Sequence, residues 1–324
     1  MDTSIQVPDI APVAEGSRRP LWSVMIPNYN SGEYLRQTLQ SVMAQDCGPE
    51  RMEIEVVDHC STEGDPEALV RAVGRGRVAF YRRPSNEGPI ANFNACIQRS
   101  HGHLIHILHS DDYVLPGFYA EIERLAELHK NRALLATRCF LVDENEVIIN
   151  VTERIRELEK GGCSSESLYY NHTAMLFPGV VIRRSFYEAY GGFMPSLGHT
   201  ADREIWARAV SQGGGVISAN VLACYRVYQG NETAAVARSG ENIRSLLRLK
   251  EVFGARYPGF SPEYAQHLAA NLALRQAREF AVRNDTDSAE RNRRLWRDNC
   301  SRRDRVKEML RPWFRRLLGR NSWS

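Results

Sequence analysis

The chain has 324 residues, of which 43% are hydrophobic and 25% charged, and a net charge of +3. This composition is ordinary for a soluble globular protein, and the length allows one large domain with an appendage. No run of about 18 apolar residues occurs, and the N-terminus lacks the charged start and apolar core of a signal peptide. The sequence therefore predicts neither a membrane span nor a secreted chain, and we expect a cytoplasmic protein.

The seven cysteines are scattered and form no CxxC pair. This spacing indicates neither a structural zinc site nor a disulfide framework, and the odd number fits a reducing compartment.

Strand-like and helix-like segments alternate after a leader, residues 1–20, that is predicted to be disordered. The predicted strands are 22–29, 52–59, 77–84 and 103–110, and the predicted helices are 33–45, 65–74, 88–100 and 116–130. The second helix has Asp65 as its N-cap and Pro66 in its first position. Such alternation indicates βαβ units and a parallel sheet.

The pattern changes after residue 134. Two strands are predicted within 133–151, then a polar loop at 156–172, a strand and helix within 176–193, a helix at 200–215 and a strand at 216–228. From about residue 240 the chain is predicted to be helical. We therefore expect an α/β domain over residues 21–235 and a helical, basic extension over 236–324.

Two adjacent carboxylates, Asp111 and Asp112, follow the apolar run of the fourth strand. Ligands of α/β sheets bind in the crevice beyond the strand ends. Neighbouring carboxylates repel one another unless a cation neutralises them, and Mg²⁺ prefers oxygen ligands of this kind. An Asp-rich turn or helix cap is the alternative for such a pair taken alone.

Four segments, in order, resemble motifs of family 2 glycosyltransferases. They are IPNYN at 26–30, VVDHCSTE at 56–63, LHSDD at 108–112 and TADREIW at 200–206. The resemblance covers residues 22 to about 230. It implies a GT-A fold: a Rossmann-like domain with a mixed, mostly parallel sheet that binds a nucleotide-diphospho-sugar. The leaving group is then a nucleoside diphosphate, whose developing charge a divalent cation stabilises.

The resemblance also implies roles for individual residues. Asp112 would hold Mg²⁺ or Mn²⁺, and Asp111 would share the metal or bond the ribose. The residues expected around the nucleotide are Pro27, Asn28, Tyr29, Asp58, Arg83 and Asn86, with Arg226 reaching the diphosphate. The loop 230–240 is expected to be a flexible lid.

Departures from the family pattern occur at four positions. His109 stands where many members have an aspartate, and a plain strand-end histidine is the favoured interpretation there. His59 and Cys60 replace Asp and Gly, which leaves the identity of the base open. Tyr228 stands where a histidine is frequent.

Asp202 is the predicted general base, which would take the proton of the acceptor hydroxyl during an inverting in-line attack. A base must lie within hydrogen-bond reach of that proton. The alternatives are that Asp202 only stabilises the helix N-terminus, or that Glu204 is the base.

The predicted activity is transfer of a sugar, of the hexosyltransferase type, to the hydroxyl of a glycan, lipid-linked or secondary-metabolite acceptor, as in polysaccharide biosynthesis. A sugar-phosphate nucleotidyltransferase and a non-catalytic nucleotide-sugar-binding module remain alternatives. The first usually has a basic Gly-rich loop after its first strand, which this chain lacks, and the second needs no carboxylate at Asp202.

The C-terminal segment 291–320 contains twelve Arg and Lys residues and three acidic residues. Its helices combine these charges with Trp296, Trp313 and Phe314. Basic amphipathic helices of this kind suit an anionic membrane surface, which would place the protein on the inner face of the membrane. Packing on the domain or on a second subunit, as in a homodimer, is the equal alternative, and no nucleic-acid-binding module is recognised.

Overall fold

The computed structural model describes residues 7–161, 168–169, 175–228, 230 and 232–317, with side chains as far as residue 310. Parts of the predicted loop 156–172 therefore lie outside the described residues. The chain divides into two compact units, Met1–Tyr228 and Gln229–Ser324. Each unit is described by itself below.

One mixed sheet forms the centre of the first unit. Its strands are β1 (Trp22–Asn28), β2 (Met52–Asp58), β3 (Ala79–Arg82), β4 (Leu104–Ile107), β5 (Tyr113–Val114), β6 (Leu134–Val142), β7 (Ile148–Val151), β8 (Val180–Arg183) and β9 (Gly215–Arg226). The order across the sheet is β3-β2-β1-β4-β8-β6-β9-β5, and β7 pairs with β6.

The first four strands are parallel, as the alternating pattern predicts. β8 is antiparallel to both of its neighbours, β4 and β6. Within the described residues, parallel and antiparallel pairings are equally frequent, so the sheet is more mixed than expected. In β1 and β2, Asn28 lies opposite Asp58, and β4 continues beside β1 with Ile107 opposite Met25. The carboxyl ends of these three strands therefore meet at one edge.

Helices cover both faces of the sheet. They are α1 (Tyr34–Met43), α2 (Pro66–Gly74), α3 (Pro89–Arg99), α4 (Phe118–Leu128), α5 (Arg156–Glu159), α6 (Arg184–Tyr190) and α7 (Ala201–Gly213). The predicted start of α2 is confirmed: the Asp65 side chain accepts a hydrogen bond from the N–H of Ala68, and Pro66 follows it.

The alternation of side chains along β1 explains the two faces. Val24 and Ile26 belong to a core that includes Leu39 of α1 and Phe118 of α4. Met25 points the other way and packs with residues of β2 and α3. Strands that are buried on both faces read as continuous apolar runs, as this strand does.

Residues 7–20 contain no helix or strand but pack on the first unit. Ile10 is buried, and the carbonyl of Pro8 accepts a hydrogen bond from the N–H of Gly192. The sequence predicts a disordered leader here, and the structure instead anchors these residues. Residues 1–6 lie outside the described residues.

The second unit is helical, as the sequence predicts from residue 240 onward. Its helices are α8 (Glu232–Ser239), α9 (Glu241–Arg256), α10 (Pro262–Val282), α11 (Thr286–Asn299) and α12 (Arg302–Leu317). Ile243, Ala270, Ala273 and Trp296 form its core. The expected lid loop 230–240 is mostly the helix α8. Among the described residues, no helix is long and apolar enough to cross a bilayer.

Candidate active site

Asp58 lies at the end of β2 and is completely buried. One carboxylate oxygen accepts hydrogen bonds from Asn28 Nδ2 (2.7 Å) and Ser61 Oγ (2.6 Å). The other accepts from Ser61 N (3.1 Å) and Arg82 Nε (3.0 Å). Four donors fill the acceptor capacity of a carboxylate. Asp58 therefore holds the loop after β2 in place, and its expected contact with a nucleobase stays a prediction.

The side chains expected beside the nucleotide lie around this loop. His59 is buried, and its Nε2 contacts both the N–H of Glu87 (2.8 Å) and Nη1 of Arg83 (3.1 Å). Arg83 also pairs with Glu87 at 2.8 Å. Asn86 accepts a hydrogen bond from the N–H of Gly88, so it shapes the turn before α3. These contacts hold the segment 83–88 in place.

The end of β1 supplies an aromatic side chain to the same edge. Pro27 and Asn28 are buried, whereas Tyr29 is 49% exposed. The rings of Tyr29 and His59 lie edge to face with centroids 6.4 Å apart. An exposed tyrosine beside an ordered loop provides a surface on which a planar base can stack.

Asp112 follows β4 and is 1% exposed. Its Oδ1 accepts a hydrogen bond from the N–H of Arg226 (2.9 Å), and its carbonyl accepts one from Thr38 Oγ1 (2.6 Å). Its Oδ2 is buried and has no hydrogen-bond partner. Burial, and then the neighbouring Asp111, raise the pKa of Asp112 well above its usual value. A buried oxygen without a partner is costly, which marks it as the place for a ligand.

Asp111 is partly buried beside it, and its Oδ2 accepts a hydrogen bond from the hydroxyl of Tyr228 (3.1 Å). The hydroxyl of Ser110 contacts that of Ser31, so the segment after β4 touches the segment after β1. The structure thus brings the predicted metal-ligating pair and the predicted nucleotide-binding segment to one edge of the sheet.

The side chain of Arg226 is buried, and its expected contact with the diphosphate stays a prediction. Its guanidinium is buried and donates to the carbonyl of Asp111 (3.0 Å), to Glu146 (2.6 Å) and to Gln37 (2.5 Å). It also lies over the ring of Tyr34, 4.4 Å from the centroid. Arg226 therefore helps to position the segment that carries the two aspartates.

His109 joins Asp111 and Asp112 in a cluster that the sequence analysis did not assign. One ligand atom from each of the three residues lies within 4.8 Å of the others. The Nε2 atom of His109 is buried and has no hydrogen-bond partner. Burial lowers the pKa of His109, which favours the neutral ring, and the carboxylates of Asp111 and Asp202 oppose that shift. The sequence feature that could have indicated this cluster is the position of His109, two residues before Asp111.

Asp202 lies in the first turn of α7, as predicted, and is partly buried. One of its oxygens accepts a hydrogen bond from the N–H of Arg203 (2.7 Å). Burial lowers the pKa of His109 and of His199, and the charge of Asp202 opposes both shifts. Glu204, the alternative base, is instead buried and paired with Arg208 at 2.9 Å. Trp206 is buried, as expected for a packing residue.

The chain is similar to known proteins over most of its length. The sequence profile of glycosyl transferase family 2 matches residues 23–190. The succinoglycan biosynthesis protein ExoU of Rhizobium meliloti is 26% identical over 228 residues, which cover 66% of this chain and 61% of ExoU. The chain thus spans about three fifths of that relative.

Two solved structures share the fold at low sequence identity. The S. aureus protein TarS in complex with UDP-GlcNAc aligns with a TM-score of 0.54 and 16% identity, over 80% of this chain and 72% of that one. The mannosyltransferase PcManGT of Pyrobaculum calidifontis, in complex with GDP-Man and Mn²⁺, aligns with a TM-score of 0.56 and 16% identity, over 91% and 90%.

The family match covers more than half of the chain, and it includes β1, β2 and β4, whose ends meet at the site described above. The fold and the order of the motifs agree with that match. The chain belongs to glycosyl transferase family 2, and it is a glycosyltransferase with a GT-A fold.

Proposed function

We propose that this glycosyltransferase moves a sugar from a nucleotide-diphospho-sugar to a hydroxyl group of an acceptor, with inversion and with a divalent cation. The observation that carries the proposal is the buried Oδ2 atom of Asp112, which has no hydrogen-bond partner. Asp112 forms a cluster with His109 and Asp111. Its acceptor would be a glycan, a lipid-linked sugar or a secondary metabolite. The succinoglycan relative favours a role in polysaccharide biosynthesis.

The residues after β4 fit a divalent cation. Two carboxylates supply oxygen ligands of the kind that Mg²⁺ and Mn²⁺ prefer. A cation there also relieves the repulsion between Asp111 and Asp112 and satisfies the open oxygen of Asp112. When bound, such an ion stabilises the negative charge that develops on the leaving diphosphate.

The segments around Asp58 form the nucleotide side of the proposed site. Asp58 fixes the loop 59–61 through its four hydrogen bonds, and Tyr29 offers an exposed ring for the base. Arg83 and Asn86 border the same surface, and Asp111 remains the candidate for the ribose. In this scheme Asp58 acts through the loop that it holds.

Asp202 is the proposed base. It accepts the proton of the acceptor hydroxyl while that oxygen forms a bond to sugar C1, and the bond from C1 to the phosphate oxygen breaks. Because the hydroxyl attacks opposite to the leaving group, the configuration at C1 inverts. The effect of Asp202 on the pKa of His109 supports this role, since a carboxylate close to the proposed cation site would have such an effect. A non-catalytic binding module would have no use for a carboxylate there.

A donor screen tests this proposal. Purified protein is incubated with Mn²⁺ and a panel of UDP-, GDP- and dTDP-sugars, and thermal shift and slow donor hydrolysis are measured. At least one donor should stabilise the protein and be hydrolysed, and EDTA should abolish both effects. Hydrolysis that persists undiminished in EDTA would contradict metal dependence, and the absence of any shift across the panel would contradict donor binding.

The helix α12 is the proposed membrane-docking element. Three apolar residues on it are exposed at helical spacing: Val306 at 50%, Met309 at 71% and Leu310 at 43%. The excess of Arg and Lys in 291–320 suits anionic lipid, where each basic residue contributes about 1 kcal/mol. Homodimerisation through this face is the competing outcome.

Vesicle flotation separates the two outcomes. The full chain should float with anionic vesicles but not with neutral ones, and the double variant Val306→Glu, Met309→Glu should lose most of that binding. If the full chain ignores anionic vesicles and sediments as a dimer that the double variant dissociates, the face binds a second copy instead.

A further inference from the structure

We propose that His109 is a third protein ligand of the donor-site cation, and that it makes the site favour divalent transition-metal ions such as Mn²⁺ over Mg²⁺. This inference rests on the proposed metal-dependent transfer. It adds a ligand and a selectivity that the two aspartates alone do not provide.

A ring nitrogen of His109 lies close to carboxylate oxygens of Asp111 and Asp112. Ligand atoms of His109, Asp111 and Asp112 all lie within 4.8 Å of one another, a separation that one ion can bridge. Two atoms of this cluster, His109 Nε2 and Asp112 Oδ2, are buried without hydrogen-bond partners. Buried polar atoms are nearly always satisfied in native proteins, so two orphans in one cluster call for a shared ligand.

His106, three residues earlier on β4, shows what a structural histidine looks like in this protein. It is also buried, but its Nε2 lies 3.1 Å from the carbonyl of Pro178, and its Nδ1 lies 3.3 Å from the hydroxyl of Tyr119. Both ring nitrogens of His106 have partners inside the core. The contrast with His109 indicates that the partner of Nε2 in His109 comes from outside the chain.

Aromatic neighbours hold the ring of His109 in place. It stacks on Phe93, with centroids 5.0 Å apart and planes 17° apart, and it contacts Phe177 at 4.3 Å. Phe93 and Phe177 also contact each other, with centroids 5.1 Å apart, so the three rings form one packed cluster that restricts rotation of the His109 ring. Preorganised ligands of this kind set which ions a site accepts.

The selectivity follows from the donor set. Mg²⁺ prefers oxygen ligands and tolerates few departures from octahedral geometry, whereas imidazole nitrogen binds first-row transition-metal ions better. One imidazole with two carboxylates should therefore shift the preference toward Mn²⁺. Replacement of His109 by aspartate would restore an all-oxygen set.

The test uses the full-length protein and Mn²⁺ alone, without a nucleotide. Electron paramagnetic resonance measures Mn²⁺ affinity from the free-ion signal, and Mg²⁺ affinity from competition. Electron spin-echo spectroscopy detects a nitrogen nucleus bound to the ion. His109→Phe keeps an aromatic ring beside Phe93 and Phe177, and His109→Asp gives the all-oxygen set. His103→Gln, an exposed position at the other end of β4, is the matched control.

The wild type and the His103 variant should show nitrogen coupling, and both His109 variants should lose it. His109→Phe should weaken Mn²⁺ binding at least about tenfold, the lower end of the effect of disturbing a metal site. His109→Asp should retain Mn²⁺ and raise the relative affinity for Mg²⁺. Thermal unfolding of each variant checks that it is folded.

The outcomes separate this inference from the proposed function. Mn²⁺ that binds without nitrogen coupling, and is lost in Asp112→Asn, would overturn the role of His109 and leave the metal-dependent site standing. Mn²⁺ that does not bind, or binds equally to Asp112→Asn, would overturn both.

Discussion

Two buried aspartates lie at the carboxyl ends of β2 and β4, the two strands that flank β1. They differ in the hydrogen bonds that their carboxylate oxygens accept. Asp58, after β2, accepts four hydrogen bonds from protein donors. Asp112, after β4, has one oxygen bonded by the N–H of Arg226 and the other without a partner. Both look alike in the sequence, as strand-end carboxylates. The difference indicates that one carboxylate builds the site and the other is available to a ligand.

The largest effect is expected from Asp112→Asn. If this oxygen binds a cation that neutralises the leaving diphosphate, turnover should fall at least about 10³-fold, since such an ion contributes several kcal/mol. Metal-dependent nucleotide binding should disappear. Because burial already disfavours the charged form of Asp112, the melting temperature should not fall. Turnover and thermal unfolding, each with and without EDTA, measure these effects. Full activity in the variant would contradict the proposal that Asp112, unlike Asp58, binds the cation.

Asp202→Asn should be next, with a loss of about 10²–10⁴-fold in transfer, the usual contribution of a general base. Donor binding and melting temperature should stay nearly unchanged, because Asp202 is only partly buried. Glu204→Gln, on the same helix, is the control. It breaks a buried pair with Arg208 and should lower stability. An Asp202 variant that melts early but keeps its specific activity would favour the capping role.

Asp58→Asn should affect stability more than catalysis. The substitution replaces one oxygen by an NH₂ group, which then faces either the donors Asn28 Nδ2 and Ser61 Oγ or the donors Ser61 N and Arg82 Nε. A buried polar group left unsatisfied costs about 1–3 kcal/mol. Chemical denaturation should show this loss, while assays well below the melting temperature should retain most of the Mn²⁺ affinity. Loss of Mn²⁺ binding equal to that of Asp112→Asn, in a folded protein, would contradict the proposed division of roles.

Ser61→Ala should give the smallest effect. It removes the hydroxyl that donates to Asp58 at 2.6 Å and accepts from the N–H of Asn30 at 3.0 Å and from Asn28 Nδ2 at 3.3 Å. The backbone donor of Ser61 to Asp58 stays in place. Loss of the hydrogen bond to Asp58 costs about 1 kcal/mol. The free energy of unfolding should fall by at least that amount, and the KM for donor should rise slightly. A change in the metal requirement would show that this loop belongs to the cation site after all.

The pattern of the sequence predicts the first half of the sheet well. Strands β1 to β4 and helices α1 to α4 follow from apolar runs, helical spacing and local caps such as Asp65. β5 could not be predicted: it has two residues, and it forms only because Tyr113 and Val114 lie opposite Cys224 and Ala223 of β9. The helix α8 could have been predicted, since its Ala and Glu residues favour helix.

The roles of charged residues depend on contacts that the sequence does not display. The sequence pattern predicts that Arg226 binds phosphate. In the structure its guanidinium donates hydrogen bonds to Gln37 and Glu146, which are distant in the sequence. His109 and His106 have similar apolar surroundings in the sequence, and only the packing shows which of them has an open nitrogen. Motif positions indicate where the candidate site lies, and the hydrogen bonds of each side chain show which of its polar atoms already have partners.

The difference between Asp58 and Asp112 is tested most directly by locating a bound ion. Crystals of the full-length protein grown with Mn²⁺, with either UDP or GDP, would be measured on both sides of the manganese absorption edge. We predict an anomalous peak within coordination distance of Asp112 Oδ2 and none beside Asp58. A peak at Asp58, or a nucleotide bound in the site without any peak at Asp112, would contradict the account.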